Sequence, residues 1–393
     1  MSLVPGSLFR RILFWAHLAC GVVAGVLILV MSVTGVLLTY ERQMQESAAR
    51  GNRVVATAGQ TRLSIDALAA AAQAAVEPNP RLTMVIDADP QVPVGVSAGR
   101  GNAALLNPYT GEKLVDAAEG TRGFMSLMRR WHRWLGADSS SVGAVLIDYA
   151  NLLFVFIVVS GIYLWLPQVW RWRTVRGLLF FQRRYINGKV RDFNWHHVFG
   201  IWMLIPLFLI ALSGVVMSFP WASNLVYAAY GEKAPQRGGG GGAGGAAERP
   251  RPRNDAGDAA TPRVTLQQLF DSAVSQAGNW QKVTMPVHLR GAQVDIPVEL
   301  QSSERRAPRR TVTVATADGS VQKVDNAEAS AAAVQTPGQK ARGWFRRVHT
   351  GEQYGVVGQT IAGLASLAAC FLVYTGLALA YRRLLRPLFR RTA

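Results

Sequence analysis

The sequence predicts a membrane α-helical fold: four transmembrane helices in two pseudo-symmetric helix pairs, each pair with a small external α+β module inserted. Half of the residues are hydrophobic and only 17% are charged. Four windows contain no Asp, Glu, Lys or Arg, and each exceeds the roughly 20 apolar residues that span a bilayer. Sequence motifs of the first half recur in the second. The windows are residues 12–40, 149–170, 193–231 and 353–381.

The windows divide the chain into alternating membrane and external segments. The first span is too long for the apolar region of a signal peptide, and no small-residue cleavage site follows it, so we expect a membrane anchor. Pro206 is expected to kink the third span. The predicted segments are 1–40 (N-terminus and first span), 41–125 (first module), 126–166 (interfacial helix and second span), 167–194 (basic loop), 195–221 (third span), 222–345 (second module, with a glycine-rich linker at 237–253), 346–381 (fourth span) and 382–393 (tail).

The formal net charge of +18 follows a topological pattern. Basic residues concentrate at the N-terminus, in residues 167–194 and in residues 382–393, three short segments that would share one side of a four-span protein. The positive-inside rule assigns that side to the cytoplasm. We therefore expect a multi-pass protein of the bacterial inner membrane with both termini cytoplasmic, periplasmic modules, and no nucleic-acid partner.

The external segments carry the pattern of small α+β modules. In residues 41–125, Ser64 is a candidate N-cap for an Ala-rich helix, and short strand-like runs follow at 82–86, 92–96 and 103–106. In residues 222–345, a helix at 265–277 precedes strands at 282–284, 294–300 and 311–315. Turn motifs at 107–112 and 317–320 occupy corresponding places. His288, in this second segment, is expected at the surface.

Four histidines occupy equivalent places in the two halves. Since the spans alternate in direction, His17 and His196 would lie at the cytoplasmic end, and His132 and His349 at the outer face. A parallel repeat would pair His17 with His196 and His132 with His349. In the first repeated element, His17, Gly21 and Thr34-Gly35 correspond to His196, Gly200 and Ser213-Gly214. In the second, Arg129-Arg130-Trp131-His132 with Ser160-Gly161 corresponds to Arg346-Arg347-Val348-His349 with Thr375-Gly376.

Two imidazoles on opposite helices at one depth can be the axial ligands of a b-type haem. The sequence therefore predicts two haem b groups, one for each histidine pair. Zinc or copper is disfavoured, since two histidines without Cys or carboxylate partners leave such a metal under-coordinated. A lone interfacial histidine is more often simply hydrogen-bonded to water or backbone. Candidate cations for the haem propionates are Arg129, Arg130, Arg133, Arg342, Arg346 and Arg347 outside, and Arg10, Arg11 and Arg191 inside.

Several positions have two interpretations at this stage. Gly21 and Gly200 can face a flat cofactor, whereas Gly21 with Gly25 can equally form a close helix contact. His197 adjoins His196, which the motif offset prefers as ligand. Asp148 near a span terminus is a functional candidate or a group that satisfies the helix dipole. Cys20 and Cys370 are expected to be small apolar residues rather than a disulfide.

These motifs resemble the PepSY-associated transmembrane family, and within it the FoxB-type ferric-siderophore reductases. The resemblance rests on the histidine, Ser/Thr-Gly and Asn107-Pro108-Tyr109-Thr110-Gly111-Glu112 motifs in their order along nearly the whole chain. It implies four transmembrane helices, periplasmic PepSY-like modules and two haem b groups. By motif, the implied ligands are His17, His132, His196 and His349.

The expected function is electron transfer across the membrane to a periplasmic ferric chelate, with release of ferrous iron, and a ferric siderophore is the expected chelate. The sequence has no flavin or nicotinamide motif, so a cytoplasmic reductant or a quinol is the expected electron donor. Two alternatives stay open: a haem-free sensor or regulatory membrane protein, and a small-solute permease. A permease would need polar groups at mid-span, and these are nearly absent from the sequence.

Overall fold

The structure is a computed structural model that describes residues 8–79, 81–99, 102–168, 170–235, 264–301, 308–326 and 335–385. The glycine-rich linker at 237–253 and most of the C-terminal tail lie outside the described residues. The chain divides into two compact units. The membrane unit comprises residues 1–42, 122–244 and 336–393, and the sheet unit comprises residues 43–121 and 245–335.

The helices follow the apolar windows and the capping residues. In chain order they are α1 (Leu8–Leu38), α2 (Glu41–Ala49), α3 (Ile65–Ala75), α4 (Glu119–Trp134), α5 (Val142–Trp165), α6 (Trp172–Leu179), α7 (Gly188–Trp202), α8 (Leu204–Ser218), α9 (Pro220–Ala228), α10 (Leu266–Ser275), α11 (Pro337–His349) and α12 (Gly355–Leu384).

Three continuous helical segments within the described residues are long and apolar enough to cross a membrane: Leu8–Leu38, Val142–Trp165 and Glu352–Leu384. They coincide with the first, second and fourth predicted spans. In the third, α7 and α8 meet at a bend of 70°. The membrane unit thus has three spans, or four if the bent pair is one span.

The bend in the third span has a local cause in the sequence. Pro206 lacks an N–H and its ring clashes with the carbonyl four residues earlier, at Trp202, which is the last residue of α7. Met203 leaves helical geometry with φ −101° and ψ 8°. The ladder resumes when the Leu207 N–H donates to the Met203 carbonyl at 2.9 Å. The expected kink is confirmed.

The membrane unit is a bundle in which α1 packs against α5 and α12, α12 packs against α7 and α8, and α5 packs against α8. Small buried side chains such as Ala24, Ala365 and Ala369 line its interior. Apolar side chains on its outside stay exposed, as at Val23 (73%) and Ile205 (70%). An apolar exterior with a small-residue interior is typical of helices packed in lipid.

The sheet unit contains one eight-stranded antiparallel sheet in the order β4-β3-β2-β1-β5-β6-β7-β8. The central pair is β1 and β5, whose register pairs Val85 with Thr284. Strands from both external segments therefore share one sheet, a pairing across more than 190 residues that the local strand patterns did not reveal. The strands are β1 (Thr83–Asp87), β2 (Val94–Ser97), β3 (Asn102–Leu106), β4 (Lys113–Leu114), β5 (Trp280–Pro286), β6 (Gln293–Leu300), β7 (Arg309–Ala315) and β8 (Val321–Asn326).

Helices α3 and α10 pack with these strands around one apolar core. Ser64 caps α3, as expected, by accepting a hydrogen bond from the Ala67 N–H. The two helices also cap each other. The Asp66 carboxylate accepts hydrogen bonds from the N–H groups of Leu266 (2.9 Å) and Gln267 (3.1 Å), and the Gln267 side chain accepts from the Ile65 N–H (2.9 Å). Orphan donors at both helix N-termini are thereby satisfied.

Candidate functional site

The candidate site consists of four of the five histidines of the membrane unit, His17, His132, His196 and His349, and two of them end short helices. His132 lies in the last turn of α4, which stops where Leu135 (φ 53°) and Gly136 (φ 83°) take the left-handed conformation. His349 is the last residue of α11, which stops at left-handed Gly351 (φ 72°). Left-handed residues close helix C-termini in this way. Both histidines are thus held at fixed positions next to the spans.

His132 and His349 face each other across a cavity. Their ring centroids lie 6.2 Å apart with an interplanar angle of 66°. The cavity has a volume of about 40 Å³ and is also lined by Ser32, Asn151 and Phe154. A space of this size admits water-sized groups.

Each imidazole of this pair is hydrogen-bonded through Nδ1. His132 Nδ1 lies 3.0 Å from the Met31 carbonyl oxygen and 2.9 Å from Thr34 Oγ1. His349 Nδ1 lies 3.0 Å from the Ile210 carbonyl oxygen and 3.1 Å from Ser213 Oγ. A carbonyl only accepts, so Nδ1 carries the proton in both rings and Nε2 presents a lone pair.

Burial keeps this pair neutral. It lowers the pKa of His132 to about 4, with a smaller lowering from neighbouring His349. Burial also lowers the pKa of His349, against an opposing effect of its hydrogen bond to Ile210. Neutral imidazole is the form that binds a metal, because the ligating nitrogen must be unprotonated.

The other pair repeats this arrangement near the opposite ends of the spans. His17 Nδ1 lies 2.9 Å from Ser160 Oγ, and His196 Nδ1 lies 3.0 Å from Thr375 Oγ1. Each ring is also hydrogen-bonded to a backbone carbonyl, of Ile157 or of Leu372, and the two imidazoles interact electrostatically. The Nε2 atoms of all four histidines are therefore lone-pair donors.

The two pairs lie at different depths in the bundle. Thr34, which contacts His132, follows His17 by 17 residues on the same helix. At about 1.5 Å per residue this separates them by about 26 Å along the helix axis, close to the hydrocarbon thickness of about 30 Å. The sites thus lie towards opposite membrane surfaces.

Glycines lie beside three of the four imidazoles, and at Gly376 an added Cβ would be closer to the ring than ordinary van der Waals contact. A Cβ added at Gly35 would lie 3.7 Å from His132 Cε1, and a Cβ added at Gly161 would lie 3.5 Å from His17 Cε1. A Cβ added at Gly376 would lie 3.3 Å from His196 Cε1. Gly214 departs from the pattern, because its added Cβ would lie 2.6 Å from Asn151 Nδ2.

The structure separates the two interpretations of the glycines in α1. Gly25 is a packing glycine, since an added Cβ would lie 3.3 Å from the Leu377 side chain. An added Cβ at Gly21 would meet nothing within 4 Å, and one at Gly200 only Leu372 at 3.8 Å. Gly21 thus borders open space, which leaves room for a flat group, whereas a side chain at Gly200 would make an ordinary van der Waals contact with Leu372.

Some of the expected propionate-binding cations of the outer segment have protein partners. Arg129 forms an ion pair with Glu41, Arg347 donates to Gln353 at 2.7 Å, and Arg342 donates to Ser223 at 2.9 Å. Arg130 is exposed.

Arg133 and Arg346 repel each other electrostatically. Burial lowers the pKa of Arg133, while Asp148 raises it. Two like charges held near each other favour an anionic partner. Asp148 lies beyond the first turn of α5, which weakens the helix-dipole explanation; its electrostatic partner is Arg133.

Of the expected cations at the opposite end, two are engaged by the protein and Arg11 is exposed. Arg10 donates to the Leu164 carbonyl at 2.8 Å and thereby caps α5. Arg191 pairs with Asp192, which is fully buried and also pairs with Arg382.

His197 lacks the hydroxyl contact that the four repeated histidines share. Its Nδ1 lies 2.8 Å from the Phe193 carbonyl of its own helix, and its ring lies 4.0 Å from the Phe193 ring. The structure therefore favours His196 over His197 as the member of the pair. Both cysteines are free, and His288 follows β5 in the sheet unit, partly buried.

The hydroxyl groups of Thr34, Ser160, Ser213 and Thr375 are the site residues that sequence reasoning missed. They served only as markers of the repeat, yet each contacts one histidine. The signal was present: a Ser or Thr before glycine recurs at four equivalent places. Spacing alone did not indicate which histidine each one meets.

The geometry of the His132/His349 pair fits axial ligation of one iron. Imidazole nitrogen binds a first-row metal at about 2.0–2.1 Å and the ring centre lies about 1.1 Å behind it, so opposed ligands have ring centres about 6.3 Å apart. The observed distance is 6.2 Å. No group of three or more His, Cys, Asp or Glu suited to a metal occurs in the described part of the chain, so a three-ligand metal site has no candidate there.

Comparison with known proteins identifies the family. A family model described as "PepSY-associated TM region" matches residues 14–383, which include all four histidines and both external segments. A search of curated proteins finds no match. Since the match covers nearly the whole chain and the spans agree with it, this multi-pass membrane protein belongs to the PepSY-associated transmembrane family.

Proposed function

We propose that the protein is a bis-haem b reductase of the bacterial inner membrane. Electrons from a cytoplasmic reductant or a quinol would enter at the His17/His196 pair and leave from the His132/His349 pair to a periplasmic ferric chelate of the ferric-siderophore type. Reduction weakens the hold of hard oxygen ligands on the iron of that substrate, and ferrous iron is released.

The observation that carries this proposal is the opposition of His132 and His349. Their ring centres are 6.2 Å apart, and hydrogen bonds at Nδ1 leave both Nε2 atoms as lone pairs. The neutral state of both rings adds support. Haem b would supply reversible one-electron chemistry at each pair.

The chain's own groups have defined parts in this proposal. The four imidazoles bind, their Nδ1 acceptors orient them, and the apolar helices around them exclude water. Arg133 and Arg346 supply positive charge near the outer pair, where carboxylates of a cofactor or of an anionic chelate would be stabilised. Gly21 leaves room beside its helix at the inner pair, and Gly200 lies within ordinary contact distance of Leu372.

The first experiment measures haem content and the reduced-minus-oxidised visible spectrum of the detergent-purified protein. We expect a b-type spectrum with two haems per chain. The double variant His132→Ala/His349→Ala should retain one haem, as should His17→Ala/His196→Ala. His288→Ala, a histidine of the sheet unit, is the matched control and should retain two.

The second experiment measures ferrous iron released from ferric siderophores by inverted and right-side-out vesicles. Reduction should require the chelate on the periplasmic side and should be lost in both double variants. A colourless wild-type protein would contradict the haem assignment and favour the haem-free sensor. Unchanged iron release in a variant that has lost its outer haem would contradict the reductase assignment.

A further inference from the structure

We propose that Thr34, Ser160, Ser213 and Thr375 are positioning residues that fix the tautomer of the four histidines and lower the reduction potential of the group each pair holds. This inference rests on the proposed haem ligation. One arm of its test uses the apoprotein, so that its failure can be separated from failure of the proposed function.

Each hydroxyl can act only as an acceptor towards its histidine. Its own proton is committed to a carbonyl of its own helix: Thr34 to Val30 at 2.7 Å, Thr375 to Phe371 at 2.7 Å, Ser213 to Ile210 at 2.8 Å and Ser160 to Ile157 at 3.1 Å. The hydroxyl oxygen then presents lone pairs to the imidazole. The proton of the hydrogen bond must therefore be on histidine Nδ1.

A backbone carbonyl reinforces each contact. The carbonyl that also accepts from Nδ1 lies three residues before the hydroxyl residue: Met31 before Thr34, and Ile210 before Ser213. Ile157 and Leu372 have the same relation to Ser160 and Thr375. Two acceptors from one helical turn fix both the tautomer and the orientation of the ring.

The electronic consequence has a definite sign. An Nδ1–H donating to two acceptors gives the ring partial imidazolate character, which strengthens Nε2 as a donor. A stronger donor stabilises the ferric state more than the ferrous state, so these hydrogen bonds lower the reduction potential. Removing the hydroxyl should raise it.

The magnitude follows from the usual effect of such partners. Loss of an outer-shell hydrogen bond typically changes metal affinity by about 10- to 100-fold. A tenfold change in the ratio of ferric to ferrous affinity equals about 59 mV for a one-electron couple. We expect the ratio to change about tenfold when both hydroxyls of one pair are removed, which is an upward shift of about 59 mV.

The first test compares two double variants by potentiometric titration. Thr34→Val/Ser213→Ala should raise the potential of the outer haem alone, and Ser160→Ala/Thr375→Val that of the inner haem alone. Thr34→Ser should retain the wild-type value. Thr360→Val is the control, because the Thr360 hydroxyl also donates to a carbonyl four residues earlier on its own helix, at 2.8 Å, and its other contact is the Tyr40 hydroxyl rather than a histidine.

The second test records ¹⁵N spectra of histidine-labelled apoprotein. We expect the four repeated histidines to be in the Nδ1–H form in the wild type, and the outer two to shift in Thr34→Val/Ser213→Ala. Potentials that stay within experimental error of the wild type, or that move equally in Thr360→Val, would overturn the inference. So would Nε2–H histidines in the apoprotein. A wild-type protein without haem but with Nδ1–H histidines would refute the ligation and retain the positioning role.

Discussion

Replacing Gly214 by alanine tests the packing next to the His132/His349 pair, because Asn151 lines the same cavity as both rings. An added Cβ would lie 2.6 Å from Asn151 Nδ2, whereas carbon contacts are optimal at about 3.5–4.0 Å, so the amide must move by about 1 Å. That movement breaks the 3.1 Å hydrogen bond that Asn151 donates to the Ala211 carbonyl. Asn151 is 5% exposed, so its amide finds no replacement partner in water.

The expected cost can be worked from these contacts. Overpacking a well-packed interior costs about 1–3 kcal/mol. Loss of an interhelical hydrogen bond in a membrane protein adds about 0.6–1.7 kcal/mol. The better helix propensity of alanine offsets about 1 kcal/mol of this loss of stability. Gly214→Ala should therefore destabilise the protein by about 2 kcal/mol.

The chain supplies both the rescue and the control. Ser366 precedes Thr375 by nine residues, as Asn151 precedes Ser160, and it faces Gly35. Asn151→Ser with Gly214→Ala should recover stability, because the shorter side chain leaves space for the methyl group. Gly21→Ala is the control, since its added Cβ meets nothing within 4 Å and only the gain in helix propensity remains.

The assay is unfolding of the detergent-purified protein, followed by circular dichroism during titration with a denaturing detergent. Gly214→Ala should unfold at lower denaturant than the wild type, while Gly21→Ala and the double variant should not. A Gly214→Ala protein as stable as Gly21→Ala would refute the packing argument. So would a double variant no more stable than the single one.

The remaining predictions concern one ion-pair cluster and one pair of caps. Asp192→Asn should destabilise the protein by about 3 kcal/mol in the same assay, because it removes the charge of the buried partner of Arg191 and Arg382. The control is Asp318→Asn, since Asp318 is an exposed turn residue. Equal stability of the two variants would contradict this expectation. Asp66→Ala should lower the free energy of unfolding by about 1–2 kcal/mol, because it leaves the N–H groups of Leu266 and Gln267 without an acceptor. Hydrogen exchange of the amides at the start of α10 should therefore increase. An increase limited to α3 would show that Asp66 does not cap α10.

Local patterns in the sequence were sufficient for the spans and their interruptions. The charge-free windows located all four candidate spans, and Pro206 located the bend, because each depends on a property of a few consecutive residues. The cap at Ser64 and the turn at 107–112, in which Gly111 takes the left-handed conformation, followed in the same way.

Contacts between distant segments were beyond those patterns. The pairing of β1 with β5 joins strands from the two external segments, and nothing in either strand specifies its partner. The same holds for Arg10, which appeared available as a propionate cation and instead caps α5.

The sequence by itself determined that this is a membrane protein with four histidines in repeated positions, because hydrophobicity and spacing are properties of the chain. Only the tertiary structure decided which side chain meets which ring. Thr34 contacts His132 across 98 residues and Ser213 contacts His349 across 136. Such contacts, and the Nδ1–H tautomer that they impose, arise because different helices pack against each other. The order of residues along one helix does not specify which residues of another helix it will contact.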